Sequence, residues 1–93
     1  MSSNTDNATA IQSPHVHSNG TSKDYLLDRL CEASQALDKA FEALRLTVPN
    51  GRDYYPLGPD AMATAQAQHE SRTRRLDAIK SEIDQMAAAV DSQ

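Results

Sequence analysis

Two runs of apolar residues spaced in alternating steps of three and four, separated by the segment Pro49–Pro59 (PNGRDYYPLGP), constrain this chain more than any other feature. The first run is Leu27, Leu30, Ser34, Leu37, Phe41, Leu44 and Val48, with Ser34 as its one polar member. The second is Met62, Ala65, His69, Arg72, Leu76, Ile79, Ile83, Met86 and Val90. Such spacing keeps one face of an α-helix apolar. Leu26, Ala33 and Ala40 widen the first stripe enough to touch more than one neighbour.

The boundaries follow from local chemistry. Thr21 followed by Asp24 resembles a capping box with a shortened acid, and Asp24 and Asp28 suit the positive end of a helix, so the first helix is expected over 22–47. Pro49 disfavours helical geometry at Val48, and Asn50-Gly51 is a turn signal, which sets a hinge over 48–59. Pro59 and Asp60 then open a second helix over 60–90. Folding at the centre of the hinge predicts Val48 near Met62, Phe41 near His69, Leu37 near Arg72 and Leu27 near Ile83. The expected fold class is all-α: an antiparallel two-helix hairpin over 22–93, assembling into a multi-helix bundle.

Assembly is expected because one hairpin leaves half of each stripe wet. Composition points the same way, since only 39% of the 93 residues are apolar and many of those are alanine. The oligomer interface is assigned to Leu27, Leu30, Leu37, Phe41, Leu44, Leu76, Ile79, Ile83 and Met86. Residues 1–21 are rich in Ser, Asn and Thr and are read as a disordered tail, with sequons at Asn7–Thr9 and Asn19–Thr21 taken as products of that composition. No leader-like or membrane-spanning apolar run is present, so a cytoplasmic protein without a membrane partner is expected. A net charge of −4 with interspersed signs makes nucleic acid a poor partner, even allowing for the basic cluster from Arg72 to Lys80.

No phosphate loop, metal-ligand spacing or nucleophile–base arrangement occurs, and no pair of carboxylates is singled out, so the chain is not read as an enzyme and no cofactor or metal is assigned. His15 and His17 lack a third ligand nearby, and Cys31 reads as a small residue flanking a helix interface. The notable polar constellation lies at the hinge end: Arg52, Asp53, Tyr54 and Tyr55, with His69, Arg72 and Arg75 on the adjoining helix. Arginine offers a planar fork to phosphate and tyrosine a flat face to a base, so these seven residues are the candidate site for a nucleotide-like anion. The alternative is structural: tyrosines plugging the bundle end and Arg72 lying along the seam on its aliphatic stem.

From Asn50 onward the pattern NGRDYY, followed by Ala65, Ala67, His69-Glu70, Arg72, Arg75 and Leu76, resembles small phage or prophage accessory proteins. The helical-hairpin outline is more loosely similar to phage proteins that sequester cyclic-nucleotide signals in anti-CBASS and anti-Thoeris evasion. The resemblance implies an oligomeric, non-catalytic binding module acting in the host cytoplasm, with a nucleotide-like ligand held between protomers. The alternative function is a module that docks a host or virion protein on its apolar stripe.

Overall fold

A computed structural model describes residues 10–93. Among them all regular structure is helical: α1 (Lys23–Arg45), a one-turn α2 (Gly51–Tyr54) continued by a 3-10 turn (Tyr55–Leu57), and α3 (Pro59–Asp91). None of these helices is long and apolar enough to cross a membrane.

Each helix end has a local cause. Ser22, rather than Thr21, caps α1, its hydroxyl accepting the Tyr25 N–H at 3.2 Å. At the other end Thr47 presents both its N–H (2.9 Å) and its hydroxyl (2.7 Å) to the Leu44 carbonyl, so the helix closes at Arg45, two residues before the expected limit. The expected open hinge is itself coiled. Asn50 caps α2 through its side-chain oxygen, which accepts the Arg52 N–H at 3.0 Å. Gly58 then turns the chain into α3 at φ 103° and ψ 167°, a backbone region essentially reserved for glycine, with Pro59 filling the first helical position.

α1 and α3 lie against each other in opposite directions. Lys23 reaches the Gln93 backbone carbonyl (2.7 Å), Ser34 meets Lys80 and Asp84, and Leu44 and Thr47 share a groove with Arg72 and Leu76. The register therefore differs from the centre-fold expectation by roughly one and a half turns of helix. Leu27 lies beside Ala87, Ala88 and Asp91 instead of Ile83, and Arg72 faces Leu44 rather than Leu37. The reason is the coiled connector, which packs on the first turns of α3 and groups Met62 with Gly51 and Tyr55, so that α3 extends past the end of α1.

The inward row of α3 is also rotated. Arg72 and Ile79 were expected in the seam, but both are exposed; Thr73, Lys80 and Ala87 are half-buried beside the expected members Met62, Ala65, His69, Leu76, Ile83 and Met86, which are half-buried as well. In α1 the seam matches the expectation, with Leu27, Leu30, Ser34, Leu37, Phe41 and Leu44 half-buried, while Val48 is exposed. Val90 alone among the described residues is fully buried. The chain is correspondingly extended, with dimensions of 61 × 34 × 17 Å and a radius of gyration of 18.4 Å, against about 12 Å for a compact chain of this length.

The expected tail divides in two. Residues 1–9, including the first sequon, lie outside the described residues. Residues 10–22 are described and run alongside the far end of the helix pair: the Val16 N–H donates to Gln93 Oε1 and Gln93 Nε2 donates to the Pro14 carbonyl, each at 2.7 Å.

The Gly58 geometry makes a direct prediction. Gly58→Ala should cost about 1–3 kcal/mol in urea unfolding from backbone strain alone, because no atom lies within 4 Å of the added methyl. Gly51→Ala, equally unobstructed and helical, should be neutral or stabilising by up to about 1 kcal/mol. Equal losses at both positions would refute the account of the turn.

Candidate functional site

The seven candidate residues are distributed over the connector and the first half of α3 rather than converging on one pocket. Arg52 and Asp53 are exposed on α2, Tyr54 is half-buried, and Tyr55 is 80% exposed. Tyr55 lines a groove of ≈ 490 Å³ with Gly51, Gly58, Pro59 and Met62, a set that contributes no cationic side chain. Arg72 belongs to a different groove, of ≈ 480 Å³, whose other walls are Ala40, Ala43, Leu44, Thr47 and Leu76. Arg75 turns back on its own helix, its Nε donating to the Ser71 carbonyl and hydroxyl at 3.3 Å.

Of these residues, Arg72 and His69 have the more ligand-like surroundings. Arg72 takes part in none of the ion pairs found among the described residues, and its groove is otherwise apolar. An anion entering there would meet one exposed guanidinium beside apolar walls, in a shallow groove open to solvent. His69, one turn earlier, is half-buried, and its Nδ1 is shielded from solvent without a hydrogen-bond partner. Its own carbonyl accepts the Thr73 hydroxyl at 3.1 Å, so the backbone there is satisfied while the ring is not. An unpartnered buried ring nitrogen costs free energy unless a partner arrives from outside the chain.

A polar cluster that the seam pattern only hinted at lies midway along the helices. The Ser34 hydroxyl donates to Asp84 Oδ1 at 2.6 Å, and Lys80 Nζ donates to Ser34 Oγ at 2.8 Å and to Asp84 Oδ2 at 3.0 Å. Asp38 completes it, 3.5 Å from Lys80, whose side chain is only 23% exposed. The visible signals were Ser34 as the polar break in the first seam and the Lys80–Asp84 spacing of four. Their union across helices depended on the register. The Ser34 hydroxyl, and then the Lys80 ammonium, hold the Asp84 carboxyl below its ordinary range against the opposing effect of burial. Lys80 is pushed up, first by its hydrogen bond to Asp84 and further by the charge of Asp38, with partial desolvation opposing.

Elsewhere, Cys31 is exposed and lines a distal groove with Leu27, Ala87, Ala88 and Asp91. His15 and His17 stack with ring centroids 6.1 Å apart. Among the described residues no three His, Cys, Asp or Glu side chains come together as a metal site. No protein-family profile, curated protein or solved structure matches the chain.

The cluster links stability to pH with a definite sign. A carboxyl whose folded pKa is depressed contributes stability above its unfolded pKa and loses it as pH falls through the folded value. Lys80, raised, contributes below its ordinary 10.5 and loses that as pH rises through its higher folded value. Thermal melts followed by circular dichroism should show an acid limb, below about pH 4, that is shallower in Asp84→Asn than in the wild type. Superimposable limbs would show that this carboxylate is not coupled to folding.

Proposed function

We propose that this protein is a non-enzymatic, self-assembling helical hairpin that works as an interaction module, burying its apolar stripe against further copies of itself. One observation carries the reading: Val90 is the sole fully buried residue among those described, while the seam leucines stay half-covered and Ile79 is 50% exposed on the flank of α3. Apolar surface gains about 25 cal/mol for each Å² removed from water, and a bundle of hairpins removes it without altering either helix. Leu46, Val48, Tyr55 and Leu57, at the end of α1 and in the connector, are further exposed apolar side chains. A host or virion protein is the alternative occupant of the same stripe.

A second reading is favoured by the groove at Arg72. In an assembly that covers Ile79, Arg72 approaches a protomer boundary, and a nucleotide-like anion held there would pair with its guanidinium. The phage accessory role implied by the NGRDYY resemblance belongs with this reading. Arg52, Asp53, Tyr54 and Tyr55 then serve as contacts from a neighbouring connector rather than from the same one.

Light scattering distinguishes these possibilities at the first step. The wild type should exceed the 10.1 kDa monomer mass at micromolar concentration, and Ile79→Glu should return it to that mass with helicity unchanged, because the side chain is already exposed in one chain. A monomeric wild type ends the proposal. For the second reading, a nucleotide and cyclic-dinucleotide panel should contain a compound that raises the melting temperature, equivalent to about 2.7 kcal/mol at a hundredfold excess over its dissociation constant. Arg72→Ala should abolish that rise without changing the mass; a panel with no active compound removes the anion.

A further inference from the structure

Gln93 treats residues 14–16 as a strand would. Its carboxamide accepts the Val16 N–H and donates to the Pro14 carbonyl, both at 2.7 Å. In an extended chain the carbonyl of one residue and the N–H of the residue two further on lie along the same edge, and one residue of a parallel neighbour normally binds both. The Gln93 side chain reproduces that pairing with one donor and one acceptor. A further bond from Gln93 Nε2 to the Ala89 carbonyl, at 3.3 Å, orients the carboxamide on the last turn of α3.

The remaining contacts fit a bound peptide rather than a solvated tail. Ile11, Ser13, Pro14 and Val16 are half-buried, whereas Gln12, His15 and His17 are exposed, an alternation close to that of a strand lying on a surface. Val90, the fully buried residue, lies less than one turn before Gln93. The segment is joined to α1 only through a turn closed by the Gly20 N–H on the His17 carbonyl (3.1 Å) and the Ser22 cap. Nothing in the pairing with Gln93 requires that residues 14–16 come from the same chain, since the bonds are made to backbone.

We propose that the Val90–Gln93 end of the helix pair is a binding site for an extended peptide segment, filled in cis by residues 14–16 and able to take the same segment from a second copy. Exchange of an identical element between protomers gives each chain the contacts it has alone. A tethered segment acts at an effective concentration in the millimolar range, so the cis occupant excludes the trans one until it is released. The contact is independent of the seam and of the Arg72 groove, and it stands or falls apart from the assembly proposed above.

The experiment uses a fluorescent peptide with the sequence of residues 10–18 and the full chain in three forms. Val16→Pro removes the N–H that Gln93 accepts while keeping a backbone compatible with extension, and so releases the cis segment but leaves the site intact. Gln93→Ala removes the site itself. Fluorescence anisotropy should show the peptide binding to the Val16→Pro chain at least tenfold more tightly than to the wild type, and no binding to Gln93→Ala, with helicity equal in all three. Equal binding to wild type and Val16→Pro, retention of binding by Gln93→Ala, or no binding to any form would each overturn the proposal.

Discussion

Two helices that touch along a single line can cover each side chain in that line from one direction only, and most other features of this molecule follow from that restriction. The smallest dimension, 17 Å, leaves no room for a third layer over the whole pair. The leucines of α1 therefore stop at half-burial even where the heptad spacing is followed closely. Complete burial is reached at Val90, in the part of the molecule where residues 14–16 are held as a third element. Along the rest of the pair the described residues supply no third element, and the apolar stripe remains a surface.

A core this shallow places the burden of alignment on polar groups. Apolar residues alternating by three and four can slide past one another by a heptad with little change in area buried, whereas an ammonium shared among Ser34, Asp38 and Asp84 has one favourable position. The arrangement resembles the use of a lone polar residue in a coiled-coil seam, where register is obtained at some expense in stability. It also explains the rotation of α3: turning Lys80 inward to reach Ser34 moves Ile79 and Arg72 outward. The outward flank thus carries an isoleucine and an arginine that a purely apolar seam would have concealed.

The sequence made the helices themselves legible because their signals are local. Ser22, Asn50, Gly58 and Pro59 act on neighbouring backbone, and the expected limits at 22, 47 and 60 fall within one or two residues of Lys23, Arg45 and Pro59. Register was not legible in the same way, because it depends on how many residues the connector consumes, and the coiling of Gly51–Leu57 on α3 could not be deduced from its turn-forming composition. The site suffers from the same cause. Arg52, Tyr55, His69 and Arg72 were expected to share one end of the hairpin, but once α3 overhangs α1 Tyr55 and Arg72 line separate grooves, and Arg52 and His69 line neither of them. The hold on residues 14–16 has another origin: their composition argues against a core of their own, yet an extended segment can be held through its backbone groups by one carboxamide.

The exposed arginine places a condition on any assembly that covers the stripe. Transferring a guanidinium from water to an apolar boundary costs several kcal/mol unless an anion accompanies it, which exceeds the roughly 1 kcal/mol that burying the wet half of Ile79 returns. Arg72 must therefore stay at the rim of a protomer boundary, meet a carboxylate of the neighbouring copy, or hold an anion from solution. The chain has 13 acids against 9 bases, so carboxylates are plentiful, yet none pairs with Arg72 within one protomer among the described residues. Assembly and anion binding are in this sense one electrostatic problem. A carboxylate from the neighbouring copy would make the module a scaffold, while a vacancy at the same position would make it a receptor for a phosphate-bearing molecule.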